Sequence, residues 1–144
     1  MLANGATLEY KEKGATGDYT KLPGLKEIPE VGMEAEKVEN TCLEDKVKKY
    51  EMGIGDSGDM TYKFKYDNTT KDSPYRKMRA AQEAGKVLSF KETLKDGTTT
   101  EYDAQVSVKR TGGGVNGVIE FNLTMALQSD LTITDPADAS PAAA

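Results

Sequence analysis

The sequence of 144 residues contains no histidine, no tryptophan and only one cysteine, Cys42. Without histidine, neither a Ser-His-Asp nor a Cys-His catalytic arrangement can form, and zinc would depend on carboxylates and a single thiol. A lone cysteine also excludes an intrachain disulfide framework and suits a reducing compartment. We therefore predict a protein that is not an enzyme, with no catalytic residue, no cofactor and no metal site.

Long apolar runs are also missing. No apolar stretch approaches the roughly 20 residues that cross a bilayer. The N-terminal residues lack the basic region and the following apolar region of a secretory signal. Charge is dense but mixed, with 24 acidic and 19 basic residues and a net charge of −5. Because a protein that grips duplex DNA neutralises phosphates with clustered Lys and Arg, this balance argues against one. We expect a soluble protein that binds neither a membrane nor a duplex.

Two short motifs have both a functional and an ordinary interpretation. Gly112, Gly114 and Gly117 match the G-x-G-x-x-G string of dinucleotide sites, but that fingerprint needs a strand before it and a helix after it. Both flanks here have the pattern of strands, so a hairpin loop is favoured. The acidic run at residues 56–59 lacks the alternating oxygen ligands and the closing Glu of an EF-hand. We interpret it as a flexible turn.

Strict alternation of apolar and polar residues is the strongest positive signal. The first such stretch has its apolar residues at Met60, Tyr62, Phe64 and Tyr66. Period two with polar residues between predicts a half-buried antiparallel strand. The same period recurs later, where the dipeptide Asp96-Gly97 favours a hairpin turn. The C-terminal half is therefore predicted to form a three-stranded meander over residues 87–94, 98–110 and 115–128.

One segment between strands has the signals of a helix. Ser73-Pro74 supplies an N-cap and a first-turn proline, and Gly85 is placed for the C-cap. Apolar residues recur between them at helical spacing, at Tyr75, Met78 and Ala81. We predict a helix of about three turns, a β–α–β–β–β order for the second half, and packing of the helix across one opening of the sheet layers.

The first half of the chain is less regular. Residues 7–11 and 34–38 are predicted as short strands, whereas residues 21–32 carry two prolines and favour turns or edge structure. The C-terminal tail is rich in Ala, Pro and Asp, a composition typical of disorder. We predict one domain over residues 1–134 and a disordered tail over residues 135–144.

Residues 41–58 are the most ambiguous stretch. Their sparse apolar residues, Leu43, Val47, Tyr50 and Ile54, have the spacing of one face of a helix, yet three glycines near the end stop any element. Loops of this length inside compact domains are uncommon and usually functional. We therefore predict a long functional loop here.

Six short motifs lie along the middle of the chain: EKVENT (36–41), LEDKVKKY (43–50), GI (53–54), DSGD (56–59), MTYKFKYD (60–67) and SPYRKM (73–78), followed by a closing strand at 117–124 and Leu131-Thr132. Together they resemble the tail tube (major tail) proteins of long-tailed bacteriophages with non-contractile tails. These are patterns of strand, loop and helix rather than a chemical signature. The resemblance covers residues 33–134, about two thirds of the chain.

The resemblance implies a mainly β fold with one α-helix. This fold is a β-sandwich or barrel of two antiparallel sheets flanked by a helix, shared with the tube protein of bacterial type VI secretion. It also implies a structural virion protein whose copies form stacked, commonly hexameric rings around the path of DNA ejection. Residues 41–58 match the family's long loop that reaches over neighbouring subunits. Leu43, Val47, Tyr50 and Ile54 thereby become candidate self-assembly residues.

The implied partners are further copies of the chain, a tape-measure protein inside the tube, and the terminator and tail-tip (distal tail) proteins at its ends. DNA is expected to pass through the lumen without specific binding. The implied location is the phage tail of the virion, after assembly in the host bacterial cytoplasm. An acidic balance suits such a pore, because a wall without phosphate contacts does not hold DNA back.

Two other functions remain open. A type VI secretion-like tube protein has the same expected fold. A monomeric β-sandwich binding module of a baseplate or pilus would carry more aromatic anchors in its loops than this chain has. A small β-barrel enzyme or ligand carrier is disfavoured, because histidine is absent and large apolar residues to line a pocket are few. Polymerisation of the purified protein separates a tube subunit from a binding module.

Overall fold

The computed structural model describes residues 1–56, 58 and 60–137 of the chain. These residues form ten β-strands and one α-helix. In chain order the elements are β1 (Thr7–Glu12), β2 (Thr20–Lys21), β3 (Leu25–Glu27), β4 (Glu34–Glu39), β5 (Tyr50–Asp56), β6 (Met60–Lys65), α1 (Pro74–Ala84), β7 (Val87–Thr93), β8 (Thr99–Thr111), β9 (Glu120–Leu127) and β10 (Thr132–Thr134). From β6 to β9 the order is the predicted β–α–β–β–β.

Most strands belong to one large antiparallel sheet. Its order is β2-β1-β7-β8-β9-β6-β3, and β10 pairs with the first residues of β8. β4 and β5 form a separate antiparallel pair. The described chain is therefore mainly β, with one helix and two antiparallel sheets, which confirms the predicted fold class. Alternation explains the large sheet: Met60, Tyr62 and Phe64 of β6 are buried, and the residues between them are partly exposed.

A short segment joins the two outer strands of the large sheet. β2 pairs with β1 and β3 pairs with β6, and only Leu22, Pro23 and Gly24 lie between β2 and β3. Leu22 N donates to Leu8 O at 2.9 Å, and Lys65 N donates to Gly24 O at 2.8 Å. The segment thus bonds to both sides of the sheet and closes it into a barrel. The turns and edge structure predicted for residues 21–32 serve as this closure.

The barrel interior holds one apolar core. Its largest fully buried side chains are Tyr62, Phe64, Phe90, Phe121, Leu8, Met60, Met78 and Leu123. The strands contribute most of them by alternation, and Met78 comes from α1. The Phe64 and Phe121 rings stack at 5.2 Å between centroids, and Tyr75 of α1 meets Phe121 edge-on at 5.5 Å. The helix therefore completes the core from one side.

The helix has the predicted ends. Pro74 occupies its first turn, where a missing N–H costs nothing, and Gly85 ends it with a φ of 65°. Gln82 Oε1 accepts a hydrogen bond from Val108 N at 2.8 Å, which joins the helix to β8. No helix within the described residues is long and apolar enough to span a membrane.

The strand predicted over residues 115–128 begins later than predicted. The last strand of the meander begins at Glu120 rather than at residue 115, because residues 112–119 leave the sheet in a tight loop. At Gly112 the φ is +86°, and a Cβ would lie 2.0 Å from Val118 O, so the chain folds back on itself there. β10 is a second difference. Its three residues are too short for alternation to predict a strand.

The domain boundaries stay predictions. Residues 138–144 of the predicted tail, together with Ser57 and Asp59 of the predicted acidic turn, lie outside the described residues. Residues 135–137 belong to no helix or strand. The closed barrel takes strands from both halves of the chain, which is compatible with one domain over residues 1–134.

Candidate assembly surface

The stretch predicted as one long loop contains a strand. β5 pairs with β4 antiparallel, from Glu34 opposite Asp56 to Glu39 opposite Tyr50. Residues 50–56 are therefore strand rather than loop, and the loop itself is shorter than predicted. Local spacing cannot show this, because the backbone of β5 is satisfied by pairing with a strand that lies before the loop.

Polar contacts hold the connection between β4 and β5. Cys42 N donates to Asp45 Oδ2 at 2.8 Å, and Lys49 Nζ lies 3.1 Å from Asp45 Oδ1. The Cys42 backbone N–H and the Lys49 side chain hold the pKa of Asp45 below its usual value. The polar residues of the connection thus bond to one another. Its apolar residues, Leu43 and Val47, are left in water.

A bulge in β5 divides the predicted residues between two faces. While β4 advances two residues, β5 advances three, from Met52 to Gly55. Paired residues point to one face and successive residues alternate, so Tyr50, Met52 and Gly55 share a face. Ile54 therefore points to the opposite face. Helical spacing had suggested that Tyr50 and Ile54 lie side by side.

All four candidate self-assembly residues are exposed. Leu43 is fully exposed, Ile54 is 92% exposed, Val47 73% and Tyr50 56%. Three further exposed apolar residues lie on or beside the same two strands: Met33, Val38 and Met52. The sequence analysis missed these, although Tyr50, Met52 and Ile54 alternate with period two. The structure thus brings the four predicted residues to one hairpin but divides them between its tip and its two faces.

Two glycines allow the strands of this hairpin to approach closely. A Cβ at Gly53 would lie 3.0 Å from Glu36 O, and a Cβ at Gly55 would lie 3.1 Å from Met33 Cβ. In the sequence these glycines indicate the end of an element. In the structure they lie inside a strand, where bulges and close backbone approach commonly place glycine.

The hairpin lies outside the barrel core. None of the buried core residues falls within residues 33–56, and in the described chain β4 and β5 pair only with each other. A two-stranded hairpin alone is at best marginally stable in water. Exposed large apolar side chains that lie together mark an interaction surface. We call residues 33–56 the assembly hairpin and take it as the candidate functional site.

An open acidic groove of about 630 Å³ lies at the base of the assembly hairpin. Four carboxylates line it together with apolar side chains that include Ile54. These carboxylates belong to Glu30, Glu34, Glu36 and Asp56. No group of three or more ligand residues within the described ranges is placed to hold a metal ion. The acidic side chains are therefore spread along a surface.

Solved structures share this fold. The tail of an empty GTA particle matches with a TM-score of 0.70 at 20% identity, over 92% of this chain and 99% of that chain. The anti-feeding prophage (AFP) baseplate matches with a TM-score of 0.70 at 10% identity, over 94% and 95%. The sheath–tube complex of an extracellular contractile injection system, PVC, matches with a TM-score of 0.60 at 11% identity, over 91% and 88%. At these identities the likeness is one of fold.

The sequence itself matches a protein family. No curated protein matches it, but residues 1–110 match the family described as "Phage tail tube, TTP, lambda-like". The matched range includes the assembly hairpin, α1 and every strand from β1 to β7. Members of this family are structural tube proteins rather than enzymes. Because the match covers well over half of the 144 residues, the chain belongs to the lambda-like phage tail tube family.

Proposed function

We propose that the protein is a structural virion protein whose copies self-assemble into stacked hexameric rings. These rings form a phage tail tube, the conduit for DNA ejection into the host. The observation that carries the proposal is the assembly hairpin, which displays Leu43, Val47, Tyr50 and Ile54 outside a closed barrel. Its apolar side chains have no core of their own to enter.

Contact with neighbouring copies gives these side chains a place to be buried. Full burial of one large aliphatic side chain contributes about 1.5–3 kcal/mol, so covering several of these side chains with a neighbouring copy favours association. In a free subunit the same residues face water. The hairpin therefore favours the assembled state over the monomer.

The symmetry of related particles supports rings of six. The GTA tail was computed with C6 symmetry, and the AFP baseplate was 6-fold symmetrised. A contact between two different patches closes into a ring when its rotation allows, and a further axial contact that does not close gives a filament. Stacked rings need both kinds of contact.

The proposed partners follow from the place of such a tube in a virion. They are further copies of the chain, a tape-measure protein within the lumen, and terminator and tail-tip proteins at the ends. Assembly takes place in the host cytoplasm, and the mature protein resides in the phage tail. The net charge of −5 supports a lumen through which DNA slides without being held.

Electron microscopy tests the proposal directly. Purified protein is concentrated in steps, measured by light scattering on a sizing column, and imaged in negative stain. The expected result is rings or hollow tubes with a central pore. The same series is repeated with tail-tip proteins, which nucleate assembly if the subunit does not polymerise without a nucleus.

The contrary result is a monomer at every concentration, with or without tail-tip proteins. That outcome would overturn the proposal and favour a monomeric binding module. A variant with Leu43→Asp and Ile54→Asp serves as the matched control, because both side chains are exposed and the substitutions remove apolar surface without touching the core. It is expected to remain monomeric where the wild type assembles.

A further inference from the structure

The two ends of β6 differ in chemistry. β6 runs from Met60 to Lys65 and spans about 17 Å. The assembly hairpin precedes its first residue by a few positions along the chain. Just past its last residue, Tyr66 N donates to Ile119 O at 3.4 Å, which places the loop 112–119 there. We call these two regions the hairpin end and the glycine-loop end.

The hairpin end is acidic and apolar. Glu30, Glu34, Glu36 and Asp56 line its groove beside the exposed side chain of Ile54. None of these four carboxylates forms an ion pair with any described residue. Their charges are therefore available to a partner.

One face of the hairpin concentrates this character. Alternation and the bulge place Glu34, Glu36 and Val38 of β4 on the face that carries Ile54 and Asp56 of β5. That face has acidic and apolar side chains and no lysine. Two copies of this face could not pair with each other, because their carboxylates would repel.

The glycine-loop end is basic and apolar. Val115 is fully exposed, and Val118 and Ile119 are 65% and 47% exposed. The strands beside them end in exposed basic residues: Lys65, Lys109 and Arg110. In the described part of the chain these three form no ion pair.

Two acidic residues lie near these cations, and both already have partners. Glu120 lies 2.7 Å from Lys26 Nζ and 3.9 Å from Lys63 Nζ. Asp67 accepts hydrogen bonds from the backbone and side chain of Thr69. These hydrogen bonds leave the charge of Asp67 in place, but Lys65, Lys109 and Arg110 outnumber it, so the net unpaired charge at the glycine-loop end is positive.

Backbone contacts shape the glycine loop in advance. Gly117 N donates to Gly114 O at 2.9 Å, and Gly112 lies so close to Val118 O that only glycine fits. A loop closed in this way cannot fold inward to bury Val115. Its apolar tip is presented to a partner without a large ordering cost.

We propose that the acidic, apolar face of the hairpin end docks on the basic, apolar glycine-loop end of a second copy of this chain. This inference rests on the proposed function and names the contact that joins one subunit to the next. The two surfaces are complementary in charge, both are apolar, and they lie at opposite ends of the same strand. The contact is therefore heterologous, so it gives the assembly a direction.

Charge reversal tests the contact. One variant carries Glu34→Lys and Glu36→Lys, and the other carries Lys109→Glu and Arg110→Glu. Each is expected to raise the concentration needed for assembly at least about tenfold, because like charges then meet across the interface. Sedimentation of assembled material against protein concentration measures this, and thermal unfolding verifies that each variant is folded.

Mixing the two variants is the decisive experiment. In a head-to-tail contact each variant offers the surface that the other lacks, so the mixture is expected to assemble near the wild-type concentration. A control with Asp18→Lys and Asp130→Lys makes the same charge change as the Glu34→Lys and Glu36→Lys variant at exposed positions outside the assembly hairpin and the glycine loop, and it is expected to assemble normally. Val115→Ser is expected to weaken assembly without changing any charge.

The outcomes separate this inference from the proposed function. If the wild type assembles and both reversal variants assemble as the control does, the inferred contact is refuted. The proposed function as a tube subunit is then unaffected. A mixture as defective as its components would also refute the inferred contact. Absence of wild-type assembly, with tail-tip proteins present, would overturn the tube subunit and the contact together.

Discussion

One buried carboxyl, that of Glu92, contributes to the pH dependence of the barrel's stability. Glu92 is only 3% exposed and accepts a hydrogen bond from Tyr62 Oη at 2.5 Å, while Tyr102 Oη donates to Tyr62 Oη at 2.9 Å. Burial raises the pKa of Glu92, and the hydrogen bond from Tyr62 offsets this only in part. The folded protein therefore holds the proton to a higher pH than the unfolded chain does.

The raised pKa of Glu92 makes the stability of the fold depend on pH. As pH rises, Glu92 loses its proton first in the unfolded chain, so its contribution to stability is fully present below the unfolded pKa and is lost as pH rises through the folded pKa. Glu92→Gln keeps an acceptor for Tyr62 and removes the buried charge. We expect the variant to be more stable than the wild type at about pH 8, by about 0.5–3 kcal/mol, and the gap to close near pH 4.

Urea unfolding at several pH values measures this gap. Glu44→Gln, which makes the same substitution at an exposed position in the hairpin connection, is the matched control. A Glu92→Gln gap that is constant from about pH 4 to about pH 8 would contradict the account.

The glycine loop gives a second prediction for a single residue. At Gly112 both the φ of +86° and the proximity of Val118 O exclude a side chain. Gly112→Ala should therefore lower the free energy of unfolding by at least about 1–3 kcal/mol. At Gly113 a Cβ would meet nothing within 4 Å, so Gly113→Ala is the control. Equal thermal unfolding of the two variants would count against the loop geometry.

Among the elements, α1 and the strands from β6 to β9 were predictable from sequence. Their periods are strong, and their boundaries carry proline, glycine and Asp-Gly signals that act locally. The start of β9 was not predictable, because the apolar residues from Val115 to Ile119 continue the period of the strand. Only the close contact between Gly112 and Val118 O, which is not local to either pattern, removes them from the sheet.

The assembly hairpin shows where sequence reasoning reached its limit. Leu43, Val47, Tyr50 and Ile54 fit a helical face as well as they fit a loop and a strand, so spacing alone could not decide. Pairing with β4 decides it, together with a bulge beside glycine. That the four residues lie in a self-assembly element stays a prediction, which came from the family resemblance; the structure shows only that all four are exposed.

The exposed apolar residues of the assembly hairpin should matter for assembly and not for folding. Leu43→Asp with Ile54→Asp is expected to change the free energy of unfolding of the monomer by less than about 0.5 kcal/mol, since both side chains are exposed. Leu123→Asp, by contrast, buries a charge in the core and should unfold the protein. Urea unfolding of both variants at low protein concentration makes the comparison. Strong destabilisation by the hairpin substitutions would mean that the hairpin belongs to the core.

Across the whole molecule, the apolar core and the exposed apolar residues occupy separate parts. The segment from β2 to β3 closes the large sheet, and the core lies inside the barrel. The apolar residues left over are grouped at the hairpin end and the glycine-loop end. This separation fits the proposal that the subunit folds alone and polymerises through these two ends.

Hydrogen exchange of residues 41–56 in the free and the assembled protein tests whether the assembly hairpin is covered by neighbouring copies. We expect fast exchange in the monomer, because an isolated hairpin opens readily, and strong protection in the tube, where neighbouring copies cover it. The backbone of β6 serves as an internal reference and should be protected in both states. Equal protection of the hairpin in the monomer and the tube would contradict the claim that this hairpin is an assembly surface.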